Sequence, residues 1–125
     1  EFHADARRFE AGTPSVGAVY AGKAGLQIIN EIGAENLRQR TSELNQDLVA
    51  RLRERGFKLR IPDEPDQRAG MTIVEAEDPM GITRALAERN IIVDKRPGAV
   101  RISPYFYNRE QENEIVVEAM REIVG

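Results

Sequence analysis

The sequence predicts an α+β fold: two N-terminal helices, then a small, mainly antiparallel sheet of three to four strands with helices packed on one face. Three observations carry that prediction. Apolar residues recur at helical spacing between residues 15 and 55. After Gly56 the pattern changes to short apolar or alternating runs punctuated by proline, glycine and asparagine. Two further helical stripes follow Asp78 and Asn108, so strands and helices are mixed without a strict βαβ alternation. Residues 1–14 read as a lead-in loop and residues 15–125 as a single domain.

Taken in order, Phe9-Glu10-Ala11-Gly12-Thr13-Pro14-Ser15 is a loop opening into a helix. Thr13 is a good N-cap with Pro14 at the first helical position, and Ser15 is the competing cap. The helix carries Val16, Val19, Tyr20, Leu26, Ile29 and Ile32 among small residues, and Gly33 ends it. Gly22 and Gly25 each cost about 1 kcal/mol in a helix interior. Close approach of another backbone would compensate, so this helix is expected to be packed on most sides. Residues 34–55 form the clearest helix, with Leu37, Thr41, Leu44, Leu48 and Leu52 in one stripe and Gly56 as its stop.

Phe57, Leu59 and Ile61 alternate with Lys58 and Arg60 as a half-buried strand, and 62–70 is a loop. Residues 71–76 make a second strand. Asp78 caps a helix with Pro79 at its first position, Ile82, Ala85 and Leu86 inward and Asn90 as a left-handed stop. Residues 91–93 and 99–103 are the third and fourth strands. Asn108, with Gln111 three residues on, caps a last helix that buries Ile115, Val116, Ala119, Ile123 and Val124.

Composition bounds the chemistry. With 41% hydrophobic and 31% charged residues in 125, the chain has the balance of a globular domain long enough to bury a core. A net charge of −3 gives no electrostatic case for nucleic acid or an anionic membrane. The absence of cysteine excludes disulfides, thiolate metal sites and thiol nucleophiles. One histidine, His3, cannot build a multi-histidine metal site, and no metal is expected. No apolar run reaches membrane-spanning length and Glu1 to Arg8 lacks the pattern of a signal peptide, so a cytoplasmic location is expected. The first residue is not methionine, and a piece of a longer chain is expected.

Two stretches carry candidate chemistry. In residues 99–103 Val100 and Ile102 fall on one face, Arg101 and Ser103 on the other, between Pro97-Gly98 and Pro104. Arg101 is thus either a solvated strand charge or a guanidinium fixed on rigid backbone to grip a carboxylate; spacing leaves both open. Likewise Gly12-Thr13-Pro14 is either a plain helix cap or, with its hydroxyl and free N–H groups, a phosphate site.

Arg8-Phe9-Glu10-Ala11-Gly12-Thr13-Pro14 running into a Gly/Ala-rich helix resembles a signature of class V aminotransferase-like enzymes, pyridoxal-phosphate enzymes of fold type I. Arg101, Ser103, Tyr107 and Asn108 before an acidic helix start resemble the same family's C-terminal motif. The resemblance covers nearly the whole chain. It implies that Thr13, with Gly12, reaches the cofactor phosphate of a partner subunit, and that Arg101 binds the α-carboxylate of an amino-acid substrate. It further implies a C-terminal small domain, inactive alone and with no catalytic residue of its own. It implies as well that a large cofactor-binding domain lies outside the chain and that the intact enzyme is a homodimer. Lys23, Lys58 and Lys95 do not match the family's cofactor lysine. The short Val93-Asp94-x-Arg96-Pro97 approach and the lack of cysteine look like kynureninases and nearby aminotransferases, not cysteine desulfurases. The strand-helix order after Gly56 also resembles ferredoxin-like amino-acid-binding regulatory modules, a rival that leaves the Arg8–Pro14 motif unexplained.

Overall fold

A computed structural model describes residues 2–125. The chain divides into two compact units, the first running to Ala34 and the second covering Glu35–Gly125.

In the first unit a 3-10 turn, Ala6–Phe9, is capped by Asp5, whose carboxylate accepts the Arg7 N–H at 3.0 Å and pairs with the Arg7 guanidinium. Helix α1 spans Val16–Ile32. Its N-cap is Ser15, which stays extended, so Thr13 and Pro14 lie outside the helix. Gly33, at φ 88°, closes it by donating its N–H to the Ile29 carbonyl. The expected dense packing is not found within this chain. No α1 residue is buried, and a Cβ added at Gly17, Gly22 or Gly25 would meet nothing within 4 Å. Val16, Val19, Leu26 and Ile28 are exposed, as is Tyr20 at 72%.

The second unit is a three-stranded antiparallel sheet with helices on one face. Helix α2 spans Ala34–Glu54 and buries Leu37, Thr41, Leu44, Asn45, Leu48, Val49 and Leu52, the predicted stripe widened along one side by Asn45 and Val49. Each fully buried leucine contributes on the order of 2 kcal/mol. Strand β1 is Thr72–Glu75, helix α3 Pro79–Glu88, strand β2 Asp94–Arg96, strand β3 Ala99–Ile102 and helix α4 Glu110–Val124. The strand order is β1-β3-β2. Val74, Val100 and Ile102 point into the core against Leu48 and Leu52 of α2, Ile82 and Leu86 of α3, and Val116, Val117 and Met120 of α4. Two buried side-chain amides join elements across this core. Asn45 donates to Thr72 Oγ1 at 2.9 Å, and Asn113 donates to the Leu44 carbonyl and to Asp47, both at 2.9 Å.

Several expected elements shift. Phe57–Ile61 is not a strand but a single Leu59–Val74 bridge flanked by Arg60 N–H to Ile73 O and Glu75 N–H to Lys58 O. Pro62 cuts the run short, and the four-residue β1 offers little length to pair with. Ile91–Val93 is irregular backbone, and the strand begins at Asp94, because the two-residue Pro97-Gly98 turn sets the hairpin register at Arg96↔Ala99. Gly98 takes φ 63°, where a side chain would be strained. Asn90 is left-handed as expected, at φ 62°. The cap of α4 falls one residue late: Arg109 is the N-cap, and Glu112, not Gln111, reaches back to its N–H at 2.7 Å. The buried face of α4 is made by Asn113, Val116, Val117, Ala119 and Met120, so Ile115 is 57% exposed and Val124 lies outside.

Candidate functional site

Strand alternation places Arg101 as predicted, on the sheet face away from the core, between fully buried Val100 and nearly buried Ile102. The hairpin register sets Asp94 of β2 directly across from it. Arg101 Nη2 donates to Asp94 Oδ2 at 2.9 Å, and the same oxygen accepts from Arg96 Nη1 at 2.5 Å. Arg96 stands two residues along β2 on the same face, so two guanidiniums share one carboxylate. A guanidinium carries five N–H donors. For Arg101 only the bond to Asp94 engages any described residue, and its side chain is 32% exposed. The arrangement can take a carboxylate through paired hydrogen bonds on a guanidinium whose stem is fixed by a strand.

Asp94 and Arg96 had no role assigned from sequence. The signal was present: counting outward from Pro97-Gly98 as a two-residue hairpin turn pairs Arg96 with Ala99 and Asp94 with Arg101. Lys95 lies on β2 and points the other way, exposed, with Nζ 3.4 Å from Met80 Sδ. Lys58 sits beside the Leu59 bridge and Lys23 on α1, both exposed.

Asn108 fastens the segment after β3. Its side-chain oxygen accepts the Tyr105 N–H at 2.8 Å, its amide donates to Glu112 at 3.2 Å, and its carbonyl accepts from Arg40 at 3.0 Å. Arg40 also pairs with Glu110 at 2.5 Å and holds that carboxyl below its ordinary range. The Arg109 N–H and then the Asn108 amide do the same for Glu112. A surface cavity of about 420 Å³ opens here, lined in part by Val93, Ser103, Tyr107 and Asn108 but not by Arg101.

In the first unit Gly12 and Thr13 are exposed, ahead of α1. Ser15 makes no side-chain capping bond, and the first-turn N–H groups of a helix have no intrahelical partner. The Thr13 hydroxyl is bonded to no described residue, and a Cβ at Gly12 would meet nothing within 4 Å. Free hydroxyls and N–H groups at the positive end of a 17-residue helix are the donor set a phosphate needs. No helix among the described residues is long and apolar enough to cross a membrane.

Comparison with known proteins bears on the family of the chain as a whole. The pattern of the family "Aminotransferase class-V" matches residues 1–116. An uncharacterized aminotransferase, YcbU, of Bacillus subtilis (strain 168) is 32% identical over 107 residues, covering 86% of this chain and 29% of that protein. A kynureninase of Geobacillus thermodenitrificans (strain NG80-2) is 27% identical over 122 residues, covering 93% of this chain and 28% of its own length. The structure of an apo cysteine desulfurase from Thermococcus onnurineus NA1 superposes with a TM-score of 0.83 at 24% identity, over 99% of this chain and 35% of that one; it shares the fold. The chain therefore spans about a third or less of the proteins it matches. With the match running from the loop before α1 well into α4, the chain belongs to the class-V aminotransferase family.

Proposed function

We propose that this chain is the C-terminal small domain of a pyridoxal-phosphate-dependent enzyme acting on amino acids, an aminotransferase of class V. The observation that carries the reading is the Arg101 guanidinium, anchored on β3 with most of its donors open on the face away from the core. Family membership and the donor-rich Gly12-Thr13 entry to α1 support it.

In this reading Arg101 holds the substrate α-carboxylate through two parallel hydrogen bonds. That fixes the orientation of the α-carbon and hence which of its bonds is aligned to break. Thr13 and Gly12 bind the cofactor phosphate of the other subunit of a homodimer. Pyridoxal 5'-phosphate supplies, when bound, the electron sink for the charge that develops on the α-carbon. The cofactor lysine and the rest of the cofactor pocket come from the large domain, so the 125 residues are inactive alone. The same large domain and the partner subunit cover the exposed apolar side chains of α1. Similarity to kynureninases favours a second reading, in which the same carboxylate grip serves a hydrolase.

The test is the full-length enzyme carrying Arg101→Ala. Hydrogen bonds to charged groups are worth about 1.5–3 kcal/mol each, so loss of the two raises KM for the amino acid about 100-fold or more. The visible cofactor band, and its loss on borohydride reduction, stay as in wild type. Unchanged KM removes Arg101 from the site. A colourless, folded full-length protein removes the cofactor and leaves an amino-acid-binding module.

A further inference from the structure

We infer that Asp94 is a positioning residue for carboxylate binding by Arg101, and that Arg96 keeps Asp94 from neutralising that arginine. This rests on the reading of Arg101 as the carboxylate grip and adds the two residues that aim and charge it.

The geometry is specific. Asp94 and Arg101 are direct cross-strand partners, so the carboxylate meets the guanidinium without a long flexible reach. It engages one nitrogen, Nη2 at 2.9 Å, so Asp94 restrains the plane of the guanidinium while leaving donors for a second carboxylate. A lone Asp–Arg pair would be neutral and would offer an incoming carboxylate little net attraction. Arg96, 2.5 Å from the same Oδ2, changes that balance: two cations and one anion leave a formal charge of +1. A bound carboxylate would bring the cluster to zero. Asp94 and Arg96 are 46% and 41% exposed, so solvent screens the cluster in part and the effects are moderate. Among the described residues the nearby Arg60 and Glu75 pair with each other, and Arg60 also donates to the Pro97 and Gly98 carbonyls, so neither joins this cluster.

The experiment measures binding of propionate, a carboxylate without an amino group, to the full-length protein by ligand-observed NMR titration. KM and kcat for an amino acid are measured in parallel. Asp94→Ala should weaken propionate about tenfold and raise KM in step with little change in kcat. Asp94→Asn, which keeps an acceptor oxygen and nearly the same shape, should lose about threefold. Arg96→Ala should also weaken propionate, because Asp94 is left to pair with Arg101 alone. In an Arg101→Ala background neither change should have a further effect, the signature of a residue acting through Arg101. Propionate bound equally or more tightly by Asp94→Ala and Asp94→Asn, while Arg101→Ala loses it, would overturn the inference: Asp94 would then merely compete with the ligand. Propionate binding unaffected by Arg101→Ala would overturn the carboxylate reading itself, and this inference with it.

Discussion

Replacing Asn113 by alanine should cost about 2.5–3 kcal/mol of unfolding free energy. The side chain is 3% exposed, and its amide donates both its N–H bonds across the α4–α2 contact, to the Leu44 carbonyl and to Asp47 Oδ2. A neutral hydrogen bond contributes about 1 kcal/mol and one to a charged acceptor about 1.5–3. Both acceptors keep other partners. Leu44 O lies inside α2, where the helical ladder serves it, and Asp47 retains the Arg51 guanidinium at 2.9–3.0 Å. Neither is left unsatisfied, which places the expected loss toward the lower part of the summed range. In urea, with a slope of about 1–3 kcal/mol/M, the midpoint should fall by roughly 1–2 M at unchanged slope. Far-UV circular dichroism of the chain reads this directly. Asp47→Ala combined with Asn113→Ala should cost less than the sum of the two single changes. A loss below about 0.5 kcal/mol, or strict additivity with Asp47→Ala, would refute the buried bridge between α2 and α4.

Three further outcomes follow from particular residues. Glu110, Glu112 and Glu118 are held below the ordinary value of 4.5, by Arg40, by the Arg109 N–H and by Arg55 respectively. Groups whose folded values are depressed stabilise above their unfolded value, so the urea midpoint should hold from pH 7 to about 5 and drop below about 4.5. Glu112→Gln should flatten part of that drop, and an unchanged acid limb would refute its cap. Thr41 Oγ1 is buried without a partner among the described residues, so the near-isosteric Thr41→Val should raise stability by about 1 kcal/mol in the same assay; a loss would mean that the hydroxyl is satisfied. Gly22→Ala and Gly25→Ala meet open space and should raise the helicity of the chain alone, each favoured by about 1 kcal/mol, as circular dichroism would show. The same changes in the full-length enzyme should weaken assembly if another backbone lies on α1, and size-exclusion chromatography would reveal it.

What could be read from the sequence was whatever a single element decides by itself. The α2 stripe needs only helical periodicity, and it places Leu37, Thr41, Leu44, Leu48 and Leu52 correctly. Asp78 and Pro79 start α3 through local backbone chemistry, and the Asp78 carboxylate does accept the Gly81 N–H. The inward and outward alternation of Val100, Arg101 and Ile102 is equally local. Features that need a second element were misplaced. Phe57–Ile61 has strand periodicity, but becoming a strand requires a partner edge, and one bridge to Val74 is all that forms. Ile91–Val93 has the apolar run, yet the polar Asp94-Lys95-Arg96 pairs with β3 because the turn, not the side chains, sets the register. Ile115 fits a helical stripe, but which stripe of α4 faces the sheet is set by its packing on the other elements, and Val116, Val117 and Met120 take that face.

The candidate site divides along the same line. Arg101 was legible as a guanidinium on a rigid strand, because its position depends on its own strand alone. Asp94 and Arg96 were not, because their meaning arises only when β2 lies beside β3 and one carboxylate faces two guanidiniums. Helix α1 is the extreme case. Its sequence specifies burial, with apolar residues around much of its surface and glycines in its interior, while no α1 residue is buried among the described residues. Intrinsic propensity would gain about 1 kcal/mol from alanine at each interior glycine, so their presence is an unfavourable local choice. A local choice that conflicts with its own element is resolved by a contact elsewhere. On the proposed reading, that contact is made by the rest of the enzyme, the same part that would bring cofactor chemistry to Arg101.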